Sequence, residues 1–478
     1  MSVILFSLCC ANIFAPVDTT ASSDVEAEKI VMKAIDACGG KEKVQRWACQ
    51  RGSGSGTLMF QGKECQFTIT VWRTPGKSKS VYWADVDDAK VDLIRVMDGN
   101  KLWESSLGIT RELDCDTPPN SIRRLATYAA DLLPLLNRHE FSLSVGEDEE
   151  IKDRRALKVN ANAINQKATL NLSFDAVTGL LIKNQFHTVD PTGRETLHEV
   201  YHENYKEFNS VKYPAKIVTY VDGKKNRETI ISELQFPDHI GDEVFANPEI
   251  SLEKEAQSIL AKAIEAAGGK TELEKLRCVN AKMSGYGSFG QWVPYAVEQS
   301  WKLPNMIKAI RTIKGDTGTS KAVMVLNGDK LWKKDESGAA IEEGPQSIAV
   351  SQAELFMCGA STLVPLQNKE IKVRRAGIKT VDNRTAQGIW CQSKNGFSIT
   401  LFIDKQTNLL SKLEARVRFP GLESEDLLER FFQDYEMFGR VKRPKKAVTY
   451  MNGVKTSELI LTEFEVPTDL DDAIFEKP

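Results

Sequence analysis

The chain contains the same sequence unit twice, and this duplication constrains the fold more than any other feature. Three blocks of the first half recur 229 positions later. They are residues 34–41 with 263–270, residues 72–75 with 301–304, and residues 98–103 with 327–332. Later blocks drift by one or two positions, and residues 245–248 match the last four residues, 475–478. A period this long predicts two tandem domains and excludes a solenoid of short repeats. We expect them at 24–249 and 250–478.

Composition excludes several classes of protein. Hydrophobic residues make up 41% of the 478 residues and charged residues 27%, which is typical of soluble globular domains. Sixty-three Lys and Arg against 66 Asp and Glu leave a net charge of −3, which does not favour nucleic acid as a partner. Beyond the leader, no apolar run is long enough to predict a transmembrane segment.

Residues 1–23 have the character of a leader. The apolar run 3–14 is too short to span a bilayer, but it suits the apolar region of a secretory signal. No Lys or Arg precedes it, so a buried N-terminal strand and a misassigned start codon stay open as alternatives. A lipid-modified Cys9 or Cys10 is a further option. We expect a periplasmic or otherwise exported protein.

The hydrophobic pattern changes from helical to alternating within each copy. An opening helix carries Ile30 and Ala34 in the first copy, and Gly-Gly ends it. Alternation then predicts strands, and Asp-Gly or Asn-Gly marks the hairpin tips. Lys183 and Lys412 fall on the outward side of two of these strands. A second helix in each copy is predicted to act as a lid, and its candidate residues are Ile122, Leu125 and Ala129 in the first copy and Val350, Ala353 and Met357 in the second.

These patterns give the fold class. We predict an α+β protein with two tandem copies of a curved antiparallel sheet, an incomplete β-barrel, each capped by helices.

His198–Glu199–Val200–Tyr201–His202 satisfies the HExxH pattern of zinc proteases. That motif needs a helix, because residues i and i+4 of a strand lie about 13 Å apart, too far for one zinc ion. Both histidines are replaced in the second copy, by Leu428 and Phe432. Histidines that replace such residues are interpreted as partly exposed strand positions. A zinc hydrolase stays only as a remote alternative, and we expect no catalytic residue, metal or cofactor.

Glycines and cysteines are given structural interpretations. The glycine-rich run 52–56 lacks the Lys-Ser/Thr of a phosphate loop and continues as a strand, so we expect a bent strand or a close backbone approach. Seven cysteines follow the leader with wide spacings and no CxxC, which predicts free thiols.

Tryptophans recur at equivalent positions, and two interpretations stay open for them. One is ordinary core packing. The other is an apolar cavity on the concave face, which would take up an acyl chain. The candidates for lining it are Trp72, Trp103, Leu170 and Leu172 in the first copy and Trp301, Trp332, Ile399 and Leu401 in the second.

The succession of motifs resembles a known family. A helix ending in Ala-x-Gly-Gly, a glycine-rich strand, Trp-x-x-Pro, Asn/Asp-Gly-x-Lys-x-Trp, Leu-Val-Pro-Leu and a closing Phe-x-x-Pro resemble LolA/LolB-like, outer-membrane lipoprotein-sorting proteins, over residues 25–248 and 252–478. The resemblance implies an unclosed antiparallel barrel that is capped by helices and binds acyl chains reversibly without a cofactor. The dedicated carriers of this family are single domains, whereas this chain is a tandem.

Three functions are weighed on these grounds. The leading hypothesis is a non-catalytic exported protein that sequesters a hydrophobic ligand, such as a lipid or a lipoprotein acyl chain, in the concave face of each half-barrel. The second is a structural or sensory envelope scaffold with filled cores and a protein partner. The third is the zinc hydrolase.

Overall fold

A computed structural model describes residues 24–478, apart from 61, 87–88, 115–116, 165–167, 190–191, 316–317, 335–337 and 422–423. The predicted leader and its Cys9 and Cys10 lie outside the described residues. Contacts divide the chain into two compact units. The first runs to Lys79 and adds Met97–Leu102 and Asp114–Val244, and the second holds Ser80–Val96, Trp103–Leu113 and Phe245–Pro478. The boundaries 24–249 and 250–478 stay a prediction.

The first copy contains three helices and fourteen strands among the described residues. They are α1 (Val25–Ala37), α2 (Lys41–Gln45), β1 (Gln50–Phe60), β2 (Lys63–Thr74), β3 (Lys77–Val86), β4 (Ala89–Asp98), β5 (Lys101–Ser106), β6 (Ile109–Asp114), α3 (Pro118–Ala129), β7 (Phe141–Val145), β8 (Glu149–Ile151), β9 (Arg154–Ala163), β10 (Ala168–Asp175), β11 (Leu181–Val189), β12 (Glu195–Phe208), β13 (Val211–Val221) and β14 (Lys224–Gln235).

The second copy repeats this order with one strand fewer. Its elements are α4 (Pro248–Ala266), α5 (Lys270–Glu274), β15 (Cys278–Ser288), β16 (Trp292–Lys302), β17 (Met306–Gly315), β18 (Gly318–Asn327), β19 (Lys330–Lys334), β20 (Ala340–Glu342), α6 (Pro345–Ala360), β21 (Lys372–Val381), β22 (Arg384–Gln392), β23 (Ser398–Asp404), β24 (Leu410–Val417), β25 (Asp426–Phe438), β26 (Val441–Met451) and β27 (Val454–Glu465).

Each copy is an antiparallel meander whose first strand also pairs with its last. β1 pairs with β14, and β15 pairs with β27. In the second copy the pairings therefore run β20, β19, β18, β17, β16, β15, β27, β26, β25, β24, β23, β22, β21. In the first copy they run β2, β1, β14, β13, β12, β11, β10, β9, β7. This confirms the predicted fold class of open antiparallel sheets with helices.

Helices cover one face of each sheet and enclose the core. α1 buries Ile35 against strand residues such as Leu172, and α4 buries Leu260 against Leu413 in the same way. Asp24 caps α1, and its side chain accepts a hydrogen bond from the backbone N–H of Glu26. The Gly-Gly pair ends the helix as predicted, because Gly39 and Gly40 adopt φ of 106° and 91°, which an L side chain rarely adopts.

Glycines of the first strand lie against the backbone of the last strand. A Cβ at Gly56 would stand 1.8 Å from the carbonyl oxygen of Glu228, and one at Gly285 would stand 2.0 Å from that of Glu458. The register of each pairing shifts nearby, after Ser53 and after Lys282. The expected close backbone approach is confirmed, and the glycine-rich run is structural.

Lys183 and Lys412 are buried, although they lie on the face turned away from the helices. Lys183 is 5% exposed and Lys412 is 3% exposed. The Nζ of Lys183 is 2.8 Å from the carboxylate of Glu149, and that of Lys412 is 2.7 Å from the carboxylate of Glu414. The face turned away from the helices is therefore also partly covered, by side chains that form ion pairs.

We expect Gly285→Ala to lower the free energy of unfolding by about 1–3 kcal/mol, the range typical of overpacking, because the new methyl group meets a carbonyl oxygen that cannot rotate away. Urea denaturation measures this change. Gly287→Ala on the same strand is the control, since a Cβ there meets the movable ring of Phe289 at 2.7 Å. Equal effects of the two substitutions would contradict the proposed role of Gly285.

Candidate functional site in the second unit

The second unit encloses a cavity of about 510 Å³ between its sheet and helix α6. Its apolar wall includes Met283, Val297, Leu459, Leu461 and Phe464, which come from β15, β16 and β27. The volume falls within the range of small-molecule pockets, about 300–1,000 Å³. The sheet therefore leaves space that its own side chains do not fill.

Three of the polar contacts between the region of α6 and the strands beneath it lie at the cavity. Arg311 forms an ion pair with Glu354 at 3.1 Å. The Nε2 of Gln299 lies 3.8 Å from the sulfur of Cys358, and the Nη1 of Arg443 donates to the backbone carbonyl of Ser361 at 2.9 Å. Val350 and Met357, two of the predicted lid residues, line the cavity from the same helix. α6 is thus a wall of the cavity.

Arginines give the cavity its charge. The carboxylate of Glu354 raises the pKa of the Arg311 guanidinium above its ordinary value. Burial lowers the pKa of Arg443, whose Nε is buried without a hydrogen-bond partner. Arg430, on β25, lines the same cavity. A single carboxylate in the cavity wall, that of Glu354, therefore faces three guanidinium groups.

Cys358 lies in the same charged part of the wall. Burial raises the pKa of its thiol to about 11, Glu354 raises it further, and Arg430 and Arg443 oppose this shift. At neutral pH the thiol is protonated, and so it is a weak nucleophile. The charges of Glu354, Arg430 and Arg443 all act on this one sulfur.

One end of the cavity reaches the surface at the turn between β15 and β16. Ser288 and Phe289 belong to its lining, and Phe289 is 49% exposed. Tyr286 and Trp292 flank the turn with rings stacked at 6.5 Å, and they are 50% and 44% exposed. The turn is an exposed aromatic tip beside an opening of the cavity.

The first unit carries uncharged residues at two of the equivalent positions. Tyr213 stands where the second copy has Arg443, and Val200 stands where it has Arg430. The ring of Tyr213 packs edge-on against Trp47 at 5.0 Å and against Phe236 at 6.5 Å. Tyr213 and Val200 both pack on the core of the first unit. The two copies have therefore diverged at this place.

The histidines of the HExxH pattern form two buried polar pairs. Both lie on β12, and they are 6% and 9% exposed, so their interpretation as partly exposed positions is wrong. The ring of His198 hydrogen-bonds the hydroxyl of Thr188 at 3.0 Å, and that of His202 the amide oxygen of Asn184 at 3.1 Å. No group of three or more potential metal ligands occurs among the described residues.

The second copy replaces both members of each pair. Val417 and Leu428 stand for Thr188 and His198, and Leu413 and Phe432 stand for Asn184 and His202. Paired replacement is expected of groups that satisfy each other in a core, since a lone buried donor or acceptor is costly. The motif is therefore explained by packing.

The predicted cavity residues lie in different places. Trp301 is in the cavity wall, whereas Ala353 is buried in α6 outside the lining. Trp332 packs against a separate small cluster. The indole N–H of Trp103 donates to Glu112 at 3.1 Å, and Lys79 lies 5.8 Å from the centroid of a Trp72 ring. The remaining residues pack in the two cores, namely Ile122, Leu125, Ala129, Leu170 and Leu172 in the first unit and Ile399 and Leu401 in the second.

Sequence reasoning missed the cavity arginines, although a signal for them exists. Arg311, Arg430 and Arg443 occupy positions where the first copy has Tyr82, Val200 and Tyr213. Comparison of the two copies at inward-facing strand positions would have singled them out. The predicted free thiols are found at all six described cysteines, and Cys115 lies outside the described residues.

No family model and no curated protein matches the chain. Solved structures do show similarity. A DUF1329 family protein from Desulfovibrio piger is 9% identical with a TM-score of 0.33, and it covers 46% of this chain and 98% of its own. A LolA superfamily protein from Nitrosomonas europaea is 14% identical with a TM-score of 0.32, over 46% and 98%. A putative outer membrane lipoprotein-sorting protein domain from Vibrio parahaemolyticus is 10% identical with a TM-score of 0.32, over 47% and 97%.

Each of these structures covers about half of the chain. Their descriptions include the superfamily that the sequence motifs resemble. With TM-scores this low, nothing about the ligand follows from them. Within the described part of the chain, no helix is long and apolar enough to cross a membrane.

The buried histidines make stability depend on pH. Burial lowers the pKa of His202 from 6.5 to about 4, so between these pH values the unfolded state takes up a proton that the folded state does not, and the free energy of unfolding falls. Over the whole interval the decrease from this group amounts to about 3 kcal/mol. Thermal unfolding of the chain between pH 7 and pH 4.5 should show the decline.

The double variant Asn184→Leu/His202→Phe installs the pair of the second copy and should reduce this pH dependence. His202→Phe alone leaves the amide of Asn184 without its partner and should cost about 1–3 kcal/mol at pH 7. A double variant with the same pH dependence as the unmodified chain would exclude His202 as its source.

Proposed function

We propose that this protein is a non-catalytic binding protein that sequesters a hydrophobic ligand in the cavity of its second unit. The observation that carries the proposal is the unfilled space of about 510 Å³ beneath α6, whose strand wall is largely apolar. Each Å² of apolar ligand surface removed from water there contributes about 25 cal/mol. An acyl chain fits this chemistry, because its burial needs only apolar side chains such as those of the strand wall.

The aromatic tip and α6 suggest the path of the ligand. The ligand enters where Phe289 is exposed, and α6 moves outward to admit it. Movement of α6 breaks polar contacts of the helix region, among them those of Arg311 and Arg443, and it exposes the buried side chain of Leu355. A bound ligand that covers the exposed apolar surface offsets part of this cost.

The two units then have different roles. In the first unit, Tyr213 packs against Trp47 and Phe236 at the position of Arg443, so we assign ligand binding to the second unit. Export to the periplasm belongs to the same proposal, because a carrier of acyl chains serves an envelope where such chains move between membranes. The apolar run at 3–14 supports export.

The test is native mass spectrometry of the full chain, purified from its own envelope before and after delipidation. We expect one lipid-sized adduct per chain, which solvent extraction removes and added hexadecan-1-ol restores. Leu461→Trp fills the cavity and should lower uptake of hexadecan-1-ol at least about tenfold. Ile231→Trp, at the equivalent position of the first copy, should leave uptake unchanged.

Two results would contradict the proposal. One is a chain without an adduct that also fails to take up hexadecan-1-ol after delipidation, which favours the scaffold hypothesis. The other is equal loss of uptake in Leu461→Trp and Ile231→Trp. Thermal unfolding of both variants shows whether each remains folded.

A further inference from the structure

Two arginines of the cavity lack a protein counterion. Among the described residues, neither Arg430 nor Arg443 lies within 4 Å of a carboxylate, whereas Arg311 pairs with Glu354 and Lys445 with Glu436. Arginine stays charged in proteins even where burial lowers its pKa. The wall of an otherwise apolar cavity therefore carries excess positive charge.

The guanidinium of Arg443 has unused donor capacity. Its Nη1 donates to the carbonyl of Ser361, but its Nε is buried without a partner. The ring of Phe464 lies 5.8 Å from the guanidinium carbon and shields one side. A buried charged donor without a partner is costly, and an anion bound against it relieves this cost by a charge-assisted hydrogen bond.

The position of Arg443 determines how a bound acyl chain would lie in the cavity. Phe464 pairs with Ala281, while Ser457 pairs with Gly287 beside the aromatic tip, so Arg443 lies near the end of the cavity that is remote from the tip. Between these ends the wall carries Met283, Leu459 and Leu461. A head group at Arg443 would leave its tail along apolar side chains towards Phe289.

We propose that the cavity selects amphiphiles with an anionic head group, a carboxylate or a phosphate monoester, which Arg443 binds directly. This deepens the proposed function and rests on it. Guanidinium groups suit both anions, because their fork of donors matches two oxygens at once. The first unit has Tyr213 at the position of Arg443 and would not share the preference.

The test compares probes with the same tail on the delipidated full chain. Hexadecanoate and hexadecyl phosphate are titrated against hexadecan-1-ol at pH 7.5 by displacement of a fluorescent acyl probe. We expect at least one anion to bind about tenfold or more tightly than the alcohol. The tighter of the two anions identifies the head group.

Variants then assign the preference to a residue. Arg443→Met should bring the affinities of anion and alcohol to within about twofold of each other, and this ratio is the readout. Arg443→Lys keeps a charge and should retain part of the preference. Tyr213→Phe, at the equivalent position of the first copy, is the control and should retain all of it.

A measurement on the unmodified chain covers the case in which Arg443→Met does not fold. Protonation of hexadecanoate at low pH removes its charge, so its advantage over the alcohol should disappear below the ordinary pKa of a carboxylic acid, about 4–5. Equal binding of alcohol and both anions at pH 7.5 would overturn the inference and leave the proposed function standing. Binding of none of the three probes would overturn both.

Discussion

The pairing of the first strand of each copy with the last is the constraint on which the rest of the structure depends. In each copy the chain forms two groups of paired strands. The pairs β1–β14 and β15–β27 join these two groups into one sheet. The join requires a close backbone approach, and this is why Gly56 and Gly285 are glycines. Once the two groups are joined, one face of the sheet must be covered, and the helices that precede and interrupt the strands cover it.

On this shared framework the two copies solve the same packing problem in different ways. The first unit pairs both buried histidines of β12 with polar side chains, as in the pair of His202 with Asn184, and it packs the ring of Tyr213 at the position of Arg443. The second unit removes those polar pairs, but it introduces arginines where the first copy has Tyr82, Val200 and Tyr213. Close packing of side chains contributes to the stability of a unit, whereas a cavity lined by charged groups reduces that contribution.

Much of the fold could be predicted from the sequence, because the features concerned are local or repeated. The duplication, the Gly-Gly helix ends and the close approach at the glycine-rich strand all leave patterns in neighbouring residues. The site could be predicted only in part: Trp301, Val350 and Met357 line the cavity, whereas Ile399 and Leu401 lie in the core. The burial of Lys183 and His198 was missed, because it depends on partners that are distant in the sequence or on another strand, namely Glu149 and Thr188.

The arginines show why a cavity is the part of a protein that sequence patterns describe least well. Apolar periodicity indicates the positions that become buried on folding. A polar residue that binds a ligand in a cavity does not follow this periodicity. Arg443 donates to Ser361 and packs beside Phe464 as a core residue would, yet its Nε has no partner in the chain. An unmatched group of this kind lowers the stability of the empty state more than that of a state holding an anion. The unpartnered guanidinium that destabilises the free protein therefore favours the binding of a ligand with a negative charge.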